Sequence, residues 1–230
     1  MVIHNEKDRY LQAALCRLQA ACDKVFVADD QSEDDGIELA ESMGCFTWAR
    51  PDNVPSFQES ESKFRQAAWD QMSKQLKLKE TDWVLSIDAD ECFLGDKAQM
   101  KALVKMAGHR RCFSAPIPEV WESDPLQIRV DGFWRGNCNR RIQRFDKVTK
   151  FRDIGMGCGS VPMFEESTVL SMKLGILHFG YADQEDRVRK HAAYTALANH
   201  GHNQNHIDSI ISKPKLEHLD INVDFWRGVR

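Results

Sequence analysis

No apolar run in these 230 residues approaches the ~20 consecutive residues that a helix needs to cross a bilayer. A membrane-spanning protein is therefore not expected. The opening Met1-Val2-Ile3-His4-Asn5-Glu6 lacks the basic region and apolar stretch of a secretory leader. The seven cysteines (16, 22, 45, 92, 112, 138 and 158) are odd in number and scattered, and none form a C-x-x-C pair. That pattern indicates neither a disulfide framework nor a zinc knuckle, and it reads as a set of reduced, mostly buried thiols. Positive charge is not in excess: the formal net charge is −4, which argues against coating nucleic acid by bulk electrostatics but leaves room for a local basic groove. Internal repeats and low-complexity segments are absent. These absences lead to the expectation of a cytoplasmic enzyme or partner protein.

What is present is an ordinary globular composition, 42% hydrophobic and 29% charged, on a chain long enough to bury a continuous core. The first half alternates short apolar runs with helical patterns, which predicts a parallel sheet covered by helices. Val2-Ile3 is a stub of strand, with Asn5 as N-cap of a helix whose apolar face runs through Tyr10, Leu11, Ala14, Leu15, Leu18, Ala21 and Cys22. Strands are expected at Lys24 to Ala28, Cys45 to Trp48 and Trp83 to Ile87. Helices are expected at Asp35 to Met43, closed by Gly44, and at Glu61 to Leu78 and Lys97 to Ala107.

After Gly108 the texture changes. Cys112 to Ala115, Gln127 to Trp134, Arg140 to Phe145 and Thr168 to Phe179 read as strands without intervening helices, an antiparallel edge on the parallel core. Asp183 to Asn199 returns to helix. The expected architecture is α/β, with a mixed, mainly parallel Rossmann-like sheet over residues 1–180 and a C-terminal helical extension over 181–230, packed on the same domain.

Two expected strand ends carry paired carboxylates: Asp29-Asp30 and Asp88-Ala89-Asp90-Glu91. Ligands of open α/β sheets gather outside the carboxyl ends of the strands. Neighbouring aspartates with no lysine beside them repel, and a hard divalent cation relieves that repulsion. A D-x-D turn following a strand could hold Mg2+ or Mn2+ and so bridge the phosphates of a nucleoside diphosphate. An isolated D-x-D is more often a solvated loop cap, so the ordered series of motifs is what carries weight.

In that series the chain resembles the family 2 glycosyltransferases of the GT-A fold. The matching residues are Asn5-Glu6, Val27-Ala28-Asp29-Asp30-Gln31-Ser32-Glu33-Asp34-Asp35, Arg65, and Asp82-Trp83-Val84-Leu85-Ser86-Ile87-Asp88-Ala89-Asp90-Glu91. The likeness covers about residues 1–95 closely. A later stretch, Leu177-His178-Phe179-Gly180-Tyr181 with Glu185-Asp186-Arg187, Lys190 and Tyr194, is similar to the ending of some members. The resemblance implies transfer of a sugar from a nucleoside-diphosphate sugar, a UDP-sugar first among them, with Mn2+ or Mg2+ as cofactor. It implies that Asn5, Glu6, Asp29, Asp30, Arg65, Asp88, Arg187 and Lys190 contact the donor, with Asp30 at the base. Asp88, Asp90 and His178 would form the metal shell, and Asp88 and Asp90 would serve catalysis. A histidine ending a strand is a ligand type that suits manganese.

An inverting transferase needs a general base. No His-Glu or Glu-Asp pair stands in the corresponding stretch, Gly155 to Pro162, so the base is sought among Glu122, Asp124, Asp131, Asp153 and Asp183, with Asp153 the choice. A retaining enzyme would need none. The run Arg135 to Arg152 (Arg135, Arg140, Arg141, Arg144, Lys147, Lys150 and Arg152) reads first as a solvated face. Its functional alternative is a positive rim for the diphosphate or for a phosphate-rich or nucleic-acid acceptor. Trp121, Phe133 and Trp134 beside it read as core or as stacking surfaces. His200, His202 and His206 sit among asparagines and read as a polar loop, without a carboxylate or thiolate to complete a metal set.

Two other readings stay open. One is a nucleotidyltransferase, although residues 3–12 hold none of the glycine usual in its phosphate loop. The other is a catalytically silent nucleotide- or glycan-binding module. The acceptor, whether glycan, protein or modified nucleic acid, is left open, and the sequence suits a small bacterial or phage enzyme.

Overall fold

The computed structural model describes residues 1–153, 158–162, 166–196 and 204–219. The first half is built as the periodicity requires. Strands β1 (Val2–Ile3), β2 (Phe26–Asp29) and β3 (Phe46–Ala49) lie parallel in the order β1-β2-β3, with helices α1 (Leu11–Ala21) and α2 (Gly36–Ser42) as crossovers. Helix α3 (Glu61–Leu76) leads into β4 (Trp83–Leu85), and a parallel bridge between Val2 and Asp88 joins the end of that strand to β1.

Beyond the acidic turn come β5 (Glu91–Phe93), α4 (Lys97–Met106), β6 (Cys112–Pro116), β7 (Val120–Ser123), β8 (Leu126–Arg129) and β9 (Cys138–Arg144). Next follow β10 (Thr168–Val169), β11 (Ile176–His178), α5 (Gln184–Ala196), α6 (Gln204–Ile210) and β12 (Leu216–His218). A four-stranded sheet runs β10-β6-β9-β4, with β9 antiparallel to both β4 and β6. The fold is thus the expected mixed α/β, but the antiparallel strand sits inside the sheet rather than at its edge. Parallel pairing is confined to β1-β2-β3 and β10-β6.

The strands alternate inward and outward as a pleat demands. Val27 packs with Leu11, Leu15, Leu18, Ile87, Phe93, Met100 and Leu103 on the α1/α4 face. Phe26 and Ala28 point the other way, onto Phe64, Ala68 and Leu76 of α3. Trp69 of α3 continues that second layer over Val84, Phe145 and Phe151. Each fully buried side chain such as Phe64 contributes about 1.5–3 kcal/mol relative to exposure. Helix α4 is fixed at its start by a capping box, in which Asp96 accepts the Gln99 backbone N–H and Gln99 accepts that of Asp96, with an expected contribution of about 1 kcal/mol.

Several local expectations are corrected. Asn5 is not a helix N-cap: α1 begins at Leu11, and Asn5 sits at φ 57°, its side-chain oxygen accepting the Glu33 N–H at 2.7 Å. The strand expected through Ile87 ends at Leu85, because the chain bends into a turn in which the Glu91 N–H reaches the Asp88 carbonyl at 3.1 Å. The strand expected through Trp134 ends at Arg129 and gives way to a 3-10 turn, Gly132–Trp134. The run Thr168 to Phe179 is two short strands separated by a 3-10 turn. The C-terminal segment is not helical alone: β12 pairs antiparallel with β8.

Candidate active site

The carboxyl ends of β1 and β2 and the turn after β4 converge on a cleft of about 340 Å³, lined among others by Asp30, Arg50, Phe57, Asp88 and Asp90. The two aspartates after β2 divide their work. Asp29 turns back on its own loop, taking the Ser32 backbone N–H at 3.2 Å and the Ser32 hydroxyl, and so closes the turn. Asp30 faces the cleft. Its carboxylate pairs with Arg50 and accepts the Phe57 N–H at 2.9 Å, which fixes the segment 50–57 as one wall.

Asp88 stands between two guanidinium groups, Arg65 and Arg141, each at 3.4 Å. Burial alone would raise its carboxyl; the two arginines more than reverse that and hold it below the usual range. Both arginines are themselves anchored. Arg65 donates to Glu61 one helical turn earlier at 2.7 Å, and Arg141 pairs with the buried Glu91. Burial lifts Glu91 to about 7, against the pull of Arg141 and with the help of Asp88. The chain Glu61–Arg65–Asp88–Arg141–Glu91 alternates in sign, so removal of any member strands a buried charge.

Asp90 points to the opposite side of the turn. Its Oδ2 lies 3.2 Å from His178 Nε2 and 3.3 Å from Lys190 Nζ. Register brings the histidine there: β11 pairs antiparallel with β5, setting His178 opposite Glu91. The other ring nitrogen, Nδ1, is hydrogen-bonded to Glu119, which forms a parallel bridge with His178 just before β7. Burial alone would lower the imidazole; Glu119 and Asp90 overcome it and keep His178 well above its ordinary value. Burial would likewise raise Asp90, and His178 and Lys190 bring it well below the normal carboxylate range. Gly180 makes the convergence possible: a Cβ there would lie 2.0 Å from Lys190 Nζ and 2.6 Å from both Asp90 Oδ2 and His178 Nε2.

The structure therefore joins Asp90, His178 and Lys190 in one cluster and Asp88 and Arg65 in its neighbour. Glu6 also lines the cleft and is bound to Arg9, which ties on to Asp186 of α5 at 3.1 Å. Asn5 and Asp29 shape the turns behind the cleft. Arg187 is committed elsewhere: its guanidinium donates to the carbonyls of Trp121 at 2.6 Å and Tyr181 at 2.8 Å, pinning α5 to β7. Asp153 is exposed and accepts from the Ser62 hydroxyl at 3.3 Å, at the start of α3.

In the basic run, Arg141 is turned inward to the acidic turn rather than outward to a rim. Trp121 and Trp134 are core, packed with Tyr181, whereas Phe133 is exposed. His206 rests against Trp134; His200 and His202 lie outside the described residues, as does the stretch 154–157. The residue that sequence reasoning missed is Glu119. Nothing in its local pattern, Pro118-Glu119-Val120, links it to a histidine 59 positions away.

Among the described residues no group of three histidine, cysteine or carboxylate side chains converges on a single cation position. The fit to a divalent ion rests on two: Asp90 Oδ2 and His178 Nε2, 3.2 Å apart, with His178 held through Nδ1 by a carboxylate in the manner of metal-bound histidines. An oxygen-plus-imidazole pair suits Mn2+, and the oxygens of a diphosphate would complete the shell.

No family model matches the sequence, and no curated protein matches it. Among solved structures, the chain is similar to S. aureus TarS, at 16% identity and a TM-score of 0.50, over 91% of this chain and 41% of that one. A TarS 1–349 structure in complex with UDP aligns at 16% identity and a TM-score of 0.49, over 91% of this chain and 68% of that one. The corresponding complex with UDP-GlcNAc aligns at 16% identity and a TM-score of 0.47, over 91% and 68%. The likeness is one of fold, and it agrees with the GT-A glycosyltransferase fold that the motif series implies.

Proposed function

We propose that this protein is a glycosyltransferase that takes a sugar from a nucleoside-diphosphate sugar, a UDP-sugar being the leading donor, and passes it to an acceptor hydroxyl. The observation that carries this reading is the placement of Asp30, Asp88 and Asp90 around one cleft at the strand ends, with His178 and Lys190 arriving from the far side. The base and ribose fit the wall formed by Asp30, Arg50 and Phe57. Asp88, already set between Arg65 and Arg141, fixes the floor beneath the diphosphate.

Asp90 and His178 would hold Mn2+ or Mg2+, which when bound neutralises charge on the diphosphate. For His178 to ligate through Nε2 it must release that proton, so ion uptake is expected to acidify the medium. Lys190 places its ammonium beside the same carboxylate and offers charge to the departing diphosphate. Asp153, exposed near the start of α3, is the proposed acceptor of the hydroxyl proton.

The test is thermal stabilisation by UDP with and without Mn2+, paired with donor turnover. Metal-dependent stabilisation that Asp90→Asn removes, together with turnover, is the expected result. Undiminished nucleotide-sugar hydrolysis by the Asp90→Asn protein would overturn the proposal.

A further inference from the structure

At the opposite end of the sheet from the cleft lies a larger cavity, of about 550 Å³, between β2 and β4. These two strands flank β1 and so stand about two strand spacings apart, roughly 9.6 Å. Strand β1 covers only Val2–Ile3, so below it the space between them is one strand wide. Both helix layers line this space: Leu18 and Met100 from one face of the sheet, Met72 and Leu76 from the other. A cavity walled by the two layers and by two strand edges has the cross-section of a missing strand.

The backbone polarity agrees. The Phe145 N–H bonds the Asp82 carbonyl and the Ser86 N–H bonds the Arg141 carbonyl, so the even positions of this segment face β9. Alternation then turns the N–H and C=O groups of Trp83 and Leu85 to the opposite edge, with which no strand pairs among the described residues. On β2 the Phe46 N–H takes the Val25 carbonyl and the Ala28 N–H takes the Met1 carbonyl, so the Phe26 N–H is directed into the cavity. Unpaired edges of this kind are templates for an added strand. The mouth carries Lys24, Lys97, Lys101 and Lys105, which outnumber Asp23 and Asp82.

We propose that this slot binds an extended peptide of a partner protein as an added strand parallel to β2. The fitting segment has about four residues within the slot, by the strand rise, apolar side chains against both helix layers, and acidic residues just N-terminal that meet the lysines at the mouth. This proposal does not depend on the activity assigned above.

The test uses the full chain and a fluorescent peptide, Glu-Glu-Val-Thr-Val-Ile, capped at both ends, with binding read by anisotropy. Saturable binding is expected. It should weaken at least about tenfold for the same peptide with proline in place of its second valine, which removes an N–H from the ladder. A similar loss is expected for Val104→Trp, which fills the mouth from a half-exposed position on α4, and for Lys101→Glu/Lys105→Glu. Val-Thr-Val-Ile fused ahead of Met1 should occupy the slot and compete the peptide away. Thermal melts confirm that each variant is folded. Absence of binding to the folded wild type, or equal binding of the proline peptide, overturns the proposal. So does saturable binding of dodecanoate in place of the peptide, or self-association of the wild type that Val104→Trp abolishes.

Discussion

His178 Nε2 lies 3.2 Å from Asp90 Oδ2, and the other face of the same imidazole is held by Glu119. The ring is thus clamped between two carboxylates from separate strands, with no rotational freedom to spare. Glu119→Gln is expected to weaken Mn2+-dependent stabilisation by UDP about 10- to 100-fold, the range typical for losing a carboxylate behind a ligating histidine. The check is a Mn2+ titration at fixed UDP. An unchanged titration midpoint would show that Glu119 merely fills space.

Gly180 leaves the gap into which Lys190, Asp90 and His178 converge. Gly180→Ala is expected to separate these three groups while the core stays folded, because the Lys190 chain can swing away. Affinity for UDP with Mn2+ should fall at least about tenfold with little change in Tm. Calorimetric titration beside a thermal melt distinguishes this from general unfolding, in which both would drop together.

Glu91 gives the protein a pH signature. Its carboxyl is raised from 4.5 to about 7, so the folded state binds more protons than the unfolded state across that window. Stability from this group therefore declines as pH rises from 4.5 towards 7. His178, raised well above 6.5, contributes in the same direction: its stabilisation is full below 6.5 and is lost as pH climbs through its folded value. Tm should fall between pH 5 and 7.5, and Glu91→Gln should flatten that fall by roughly 5 °C. Parallel slopes in the two proteins would refute the assignment.

The cysteines should divide by burial. Cys92 is buried and pushed up to about 12, and Cys22 and Cys158 up to about 11, in each case chiefly by loss of water. Cys16 and Cys138 are exposed. Brief treatment of the native protein with iodoacetamide at pH 8 should modify Cys16 and Cys138 and spare Cys92, as read by peptide mass mapping.

The parallel half of the fold was legible because its strands and helices obey clean periods: Val27 against Phe26 and Ala28, Leu11 with Leu15 and Leu18. The second half was harder, since β5, β7 and β12 are three or four residues long, too short to show an alternation. Asp88 and Asp90 could be placed in the cleft from the motif series, but their partners could not be assigned. Arg141 lay in a run that read as solvated, and only the pairing of β4 with β9 turns it inward to Asp88 and Glu91. Arg187 matched its motif yet serves to bind α5 to β7, because a buried guanidinium needs carbonyls close at hand and Trp121 and Tyr181 present them.

Lys190 stands 100 positions after the aspartate it neutralises. During synthesis Asp88 and Asp90 therefore emerge with their neighbours in mutual repulsion, long before α5 exists to relieve it. The cleft can have its walls early and its charge balance only at the end. A nascent or C-terminally clipped chain would keep much of the parallel sheet yet be unable to hold a diphosphate, so activity appears only after the last helix has docked.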